Sequence, residues 1–188
     1  AFDGKPVFMT DSGDNTTSGA TGWNTYILRQ FLSVKPLEKK VLFANICDPK
    51  TYQQLENLEI GSEAHISLGV NHDEMSKNVE LDIIVKAKGE LRGYALHPHD
   101  ACYGHSVTVS IKGLPIDISV ASTRQPMTEH HQYLGAGLDW DEYDIIIVKL
   151  GYIFPELKKK GMLSIMSLTM GATPQDTRSI PFKKIMRP

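Results

Sequence analysis

The sequence is poor in cysteine: among its 188 residues only Cys47 and Cys102 occur, far apart. Two distant thiols build no disulfide framework, so the core must hold the chain together, and a reducing, cytoplasmic setting is expected. No run of about 18 apolar residues is present that could span a bilayer. The start lacks the charged and apolar regions of an export signal, so no membrane partner is expected. Excess positive charge is also missing. Lys and Arg number 20 against 22 Asp and Glu, for a formal net charge of −2, which removes the electrostatic basis of nucleic-acid binding. The one basic block, Lys158-Lys159-Lys160, reads as the last turn of a helix. There is no internal repeat, low-complexity stretch or linker, so residues 1–188 are expected to form a single domain. A chain of this length buries about 70% of its unfolded surface and needs no staples. It opens on Ala1, without Met and almost directly on a strand, as a piece of something longer would.

What is present reads as β-α-β-α at the start. Residues 5–9, "KPVFM", form a short apolar run bounded by turn signals, a buried strand. Trp23, Ile27, Leu28, Phe31 and Leu32 then fall on one helical face. Residues 41–46 are a second β-rich run, closed by Asp48-Pro49, and residues 52–58 read as a short helix. In the middle, residues 81–88 and 91–96 are expected to be strands separated by a turn at Gly89-Glu90. "SVTVSIKGLPIDISVAS" alternates β-branched residues on two arms about a Gly-Leu-Pro turn, a hairpin signal. The α/β grammar then returns: a helix over 127–134, a strand over 143–150 ("YDIIIVKL"), a helix over 154–160, a strand over 163–169 and an extended tail. The fold class is α/β, a single mixed sheet with crossover helices and an antiparallel hairpin insert.

Three constellations carry chemistry. "TDSGDNTTSGATGWNT", residues 10–25, hands a strand over to a helix, where open α/β sheets hold ligands. Gly13, Gly19 and Gly22 allow sharp turns that present N–H groups. Their spacing is neither a dinucleotide fingerprint nor a phosphate loop. Asp11 and Asp14 are able to ligate a metal or hold an amine or hydroxyl; equally, Asp14, Asn15 and the hydroxyls are able to brace a turn. "HPHDACYGH" contains His97, His99, Asp100, Cys102 and His105, all competent toward Zn²⁺, but in a spacing that matches no closed site. His130 and His131, as neighbours on a helix, point to different faces. Lys149 lies at the end of a buried apolar strand, a costly position unless it is paired or reaches a site. Two readings stand side by side: a structural salt bridge with Asp144 or one of the opening carboxylates, or a place in a site. Arg124 follows the second arm of the hairpin.

Taken in order, these segments resemble the C-terminal domain of the MlrC-type proteins, the microcystin-degradation metallopeptidase family. The family's D-x-x-D-N-x-x-x-G-x-x-G reads here "DSGDNTTSGATG" (Asp11, Asp14, Asn15, Gly19, Gly22), and its I-x-D-P reads "ICDP" (Ile46 to Pro49). "GHSVTVSIKGLPIDISVASTRQ" is similar to its hairpin ending in an arginine. "GLDWDEYDIIIVKLGYIFPEL" is similar to its Val-Lys strand and aromatic turn, and "GATPQDTRSIPFKKIMRP" to its close. The resemblance covers essentially the whole chain. Two departures stand out: Gly22-Trp23-Asn24-Thr25 replaces Gly-Asp-Thr, and Leu150 to Pro155 replaces a Ser followed by His-Phe-Arg. The resemblance implies a zinc-dependent amide hydrolase whose metal ligands and general base belong to an N-terminal domain of the same polypeptide. This domain then supplies no catalytic residue and no metal ligand. It packs against the metal domain and lines the cleft for a peptide or small amide, with Asp11, Asp14, Asn15, Gly19, Gly22, Arg124 and Lys149 at the substrate or the interface. Homo-oligomerisation is left open. The alternatives are a stand-alone module that binds a small ligand or partner without hydrolysis, and a self-contained metal enzyme built on His97, His99 and His105.

Overall fold

A computed structural model describes residues 2–180, 183 and 184. The apolar run at the start becomes β1 (Val7–Asp11). Two single 3-10 turns, Ser12–Asp14 and Thr16–Ser18, carry the chain into α1 (Tyr26–Ser33). There follow β2 (Val41–Cys47), α2 (Pro49–Leu55), β3 (Glu63–Leu68), β4 (Val79–Arg92), β5 (Cys102–Ile111) and β6 (Ile116–Ala121). The chain returns through α3 (His130–Gly135), β7 (Ile145–Val148), α4 (Pro155–Lys160) and β8 (Leu163–Ser167). The eight strands form one sheet in the order β3-β4-β5-β6-β2-β7-β1-β8.

The sheet is mixed, as the patterning predicts. β6, β2, β7, β1 and β8 run parallel, and β3, β4, β5 and β6 alternate in direction. β6 therefore belongs to both halves: it is the second arm of the hairpin and the outermost parallel strand. α1 and α2 bury Ile27, Leu28 and Leu55 against Phe43, Val109 and Ile118 on one face. α3 and α4 bury Tyr133 and Leu157 against Phe8, Leu42 and Ile146 on the other. No described helix is long and apolar enough to cross a membrane.

Four expectations change. β3 carries no strong alternation and was not expected as a strand; it pairs with β4 through a half-exposed ladder. The second helix begins at Pro49 rather than Tyr52, because Asp48 accepts a hydrogen bond from the Thr51 N–H at 3.1 Å and Pro49 fits the first helical position. There is no turn at Gly89-Glu90, where β4 runs straight through. The glycine serves packing instead, since a Cβ there would lie 2.3 Å from the Gly135 carbonyl oxygen at the end of α3. Of the expected extended tail, Thr177–Ser179 is a 3-10 turn, and residues 181, 182 and 185–188 lie outside the described part.

Gly89→Ala is expected to push α3 off the sheet and cost about 1–3 kcal/mol, the usual range for overpacking. A urea-unfolding midpoint indistinguishable from the parent would contradict this account of the glycine.

Candidate functional site

Because β6, β2, β7, β1 and β8 are parallel, their carboxyl ends gather on one rim of the sheet. Asp11 closes β1, Lys149 follows β7, and Thr169 lies just beyond β8. The Lys149 ammonium is buried, with 4% of its side chain exposed, and sits 2.7 Å from Asp11 Oδ2 and 3.1 Å from Asp14 Oδ2. It also donates to the Asn24 carbonyl, so each of its three N–H groups has an acceptor. The Thr169 hydroxyl donates to Asp11 Oδ1. Asp14 accepts from the Gly22 N–H at 2.9 Å and the Asn24 N–H at 2.8 Å. One cation thus ties the ends of two strands to the far end of the glycine-rich loop.

The rest of the loop is held as firmly. Asn15 accepts from the Thr17 N–H and hydroxyl and donates to Ser18 Oγ at 2.8 Å. Gly19 and Gly22 take φ of 100° and 84°, the left-handed region that lets the loop double back. Ser12 Oγ donates to the Ser167 carbonyl at 2.7 Å, and the Asn15 N–H donates to Thr173 Oγ1 at 2.9 Å, stitching the loop to the segment after β8.

The seven residues expected at the site do come together. Asp11, Asp14 and Lys149 form its buried floor, with Asn15, Gly19 and Gly22 in the loop above. Arg124, exposed, donates to the Gly19 carbonyl at 3.2 Å. The Lys149 partners are the two opening carboxylates; Asp144 instead accepts from the Lys40 N–H. Beside Arg124 lies a cavity of about 180 Å³ lined by Thr16, Tyr94, His97, Tyr103, Gln125 and Pro126 as well. Tyr94, Tyr103 and Gln125 were not singled out from the sequence. One polar residue inside the apolar strand "VLFANIC" was a signal in their direction: Asn45, at φ 62°, donates to the Gln125 carbonyl at 3.0 Å and accepts from Ser119 Oγ.

The three histidines of "HPHDACYGH" do not meet. His97 packs between Tyr94 and Tyr103, with ring centroids 5.3 and 5.7 Å away. His99 stacks on His131 at 4.3 Å and 14°, and His105 approaches Cys102. A single centre built on all three is therefore overturned. Ligand atoms do cluster in two smaller groups, Glu90 with Cys102 and His105, and His99 with Glu129 and His131. In the second, His99 Nε2 and His131 Nδ1 lie 3.5 and 3.6 Å from Glu129 Oε2. His130 stacks on Trp140, away from His131, as neighbouring helical positions require. Burial, then the neighbouring Asp48 and Asp14, push the Cys47 thiol up to about 11, which keeps it protonated at neutral pH.

The opening loop does not fit a metal ion. Every carboxylate oxygen of Asp11 and Asp14 already accepts a hydrogen bond, and the Lys149 ammonium stands where a cation between them would sit.

Residues 9–184 match the family described as MlrC C-terminus. The chain belongs to the MlrC C-terminal family. Its fold is similar to that of a putative metallopeptidase from Mesorhizobium sp. BNC1, with a TM-score of 0.80 at 15% identity. The match covers 97% of this chain and 37% of that one, so the chain spans little more than a third of that protein's length. No curated protein matches the sequence. Within the MlrC C-terminal domain, the two departures from the family pattern now have places. The backbone of Asn24 supplies both an N–H to Asp14 and a carbonyl to Lys149, so the loop is braced without a carboxylate at that position, and Trp23 packs on His72. Tyr152 stacks on Phe154, which packs edge-on against Tyr94 of the cavity.

Burial opposes the Lys149 ammonium, but the Asp11 and Asp14 carboxylates outweigh it and hold its proton above the usual lysine range. A raised folded-state value makes this contribution complete below about pH 10.4, the unfolded lysine value. It is lost as pH climbs through the folded-state value. Lys149→Met leaves two buried carboxylates without a counter-charge and is expected to cost about 3–5 kcal/mol. Lys86, held charged by Asp117 and Tyr143 against its own burial, shares the sign. The informative quantity is thus the parent–variant difference in unfolding free energy between pH 8 and pH 11. It should shrink with rising pH, and a constant gap would refute the ion-triad account.

Proposed function

We propose that this chain is the cleft-forming, substrate-binding part of a zinc-dependent hydrolase of peptides or small amides, with the zinc held by an N-terminal domain of the same polypeptide. The observation that carries this reading is the cavity beside Arg124. At about 180 Å³ it falls short of the roughly 300–1,000 Å³ of a complete small-molecule site. It opens on the rim where the parallel strands end, next to a loop that the Lys149 triad makes rigid. That is what one wall of a shared cleft would offer. Zinc, when bound in the other domain, supplies an activated water and polarises the scissile carbonyl. The residues of this chain bind and orient. The Arg124 guanidinium presents donors to a substrate carbonyl or carboxylate. Tyr94, His97 and Tyr103 form an aromatic wall for an adjoining side chain, and the loop from Asp11 to Thr25 keeps Arg124 at fixed height through the Gly19 carbonyl.

The test is hydrolysis of small amide and peptide substrates by the longer, zinc-loaded polypeptide and its Arg124→Ala variant. Loss of one charge-assisted contact should raise KM about tenfold with kcat little changed. Robust turnover by the 188 residues alone, or an Arg124→Ala variant with unaltered KM, would overturn the assignment.

A second reading, a stand-alone ligand-binding module, is favoured by a separate polar cavity of about 530 Å³ between α2, β3 and β4, lined by Lys50, Gln54, His65, Asn78 and Glu80 among others. Its mark would be a small polar metabolite that raises the melting temperature of the 188-residue chain and fails to do so with Lys50→Ala. A metabolite panel that leaves the melting temperature unmoved removes it.

A further inference from the structure

Parallel strands are ordinarily covered by helices on both faces. Among the described residues only one face is covered at the β8 end of this sheet. β1 and β8 pair with Val7 opposite Leu163 and Met9 opposite Ile165. Since alternate residues share a face, these four look to the α1 side, where Met9 packs on the core beneath α1. On the opposite face α4 seats Leu157 with Phe8. On the α1 side the helix stops short, leaving two hollows. One, of about 430 Å³, lies between Tyr26 and Phe31 of α1 and Leu168 and Met170 beyond β8. The other, of about 210 Å³, is lined by Phe2, Val7, Ile145, Leu163 and Ile165.

The edge segment carries neither charge nor proline, two of the devices that keep an edge strand solitary. Residues 161–173, "GMLSIMSLTMGAT", contain no charged side chain. Leu168 and Met170, beyond β8, are 63% and 50% exposed. Three of the seven methionines, Met9, Met75 and Met170, line the larger hollow, and methionine is the side chain best able to mould itself to an incoming partner.

We propose that this surface seats an apolar helical face from the part of the longer polypeptide that lies outside the matched domain, an inference resting on the two-domain reading above. Two observations choose that occupant. This fold makes up 37% of the chain of its structural relative, so a larger body accompanies it there. The patch also runs directly into the candidate loop: the Gly13 N–H donates to Thr169 Oγ1 and the Asn15 N–H to Thr173 Oγ1, so a body docked on β8 is carried to the rim where Arg124 stands. A second copy pairing edge to edge through β8 would satisfy the strand and leave both hollows open.

Oxidative footprinting of Met170 tests this in the longer polypeptide and in the 188-residue chain. Met170 should label about tenfold more slowly in the longer polypeptide, the protection expected of a surface closed most of the time, and this should not change on dilution. Leu168→Lys, at an exposed position, should restore labelling there while leaving the melting temperature of the 188-residue chain unchanged. Equal labelling in the two proteins would overturn the proposal. So would protection that grows with concentration in the 188-residue chain, which would mean a second copy, or protection that survives Leu168→Lys combined with Ile165→Lys. Because the readout is labelling and not turnover, failure of the hydrolysis assay and failure of docking are distinguishable.

Discussion

The ammonium of Lys149 is the constraint on which the rim of the sheet depends. Three chain segments that are distant in sequence, the end of β1, the residues after β7 and the far end of the glycine-rich loop, converge on one buried cation. Two carboxylates placed this close in a dry environment repel each other and lack solvation. The lysine removes both problems at once, and the Gly22 and Asn24 amides take up the remaining charge on Asp14. The outcome is a loop whose polar groups are turned inward, toward its own support.

That inward turn decides how the site is divided. Asp11, Asp14 and Lys149 are spent on holding the loop in place, and what faces the cavity is Arg124 with an aromatic wall from the segments around β4 and β5. The buried charges hold the loop, and the exposed guanidinium borders the cavity. A small cavity on the rim and the uncharged segment at β8 are the two features on which the proposed shared cleft and the proposed docking rest. The chain belongs to the MlrC C-terminal family, and in one structural relative the same fold is about a third of the chain.

Much of the architecture was legible in the residues. "YDIIIVKL" and "SVTVSIKGLPIDISVAS" carry their strand and hairpin signals within a few positions, because burial and alternation are local patterns. The handover from β1 to α1 through residues 10–25 was likewise visible, and with it the place of the candidate loop. Gly89 shows the limit: the same glycine that marks a turn in sequence is required in a straight strand by the end of α3, and nothing near it in the chain announces that contact.

The β-α order, the mixed sheet, the lack of a disulfide framework and the need of Lys149 for a partner or a site follow from the residues alone, since the cost of burying a charge follows from its apolar neighbours. Which groups it meets depends on how distant strands are brought together. Asp144 is close in the chain, but Asp11 and Asp14 are reached because β1 and β7 lie side by side and in parallel, which puts the end of each strand at the same height. The same holds for the histidines of residues 97–105. They are crowded in sequence, yet each turns to a different neighbour, Tyr94 and Tyr103, His131, or Cys102. Spacing along a loop does not constrain direction, and only the packing of the surrounding strands does.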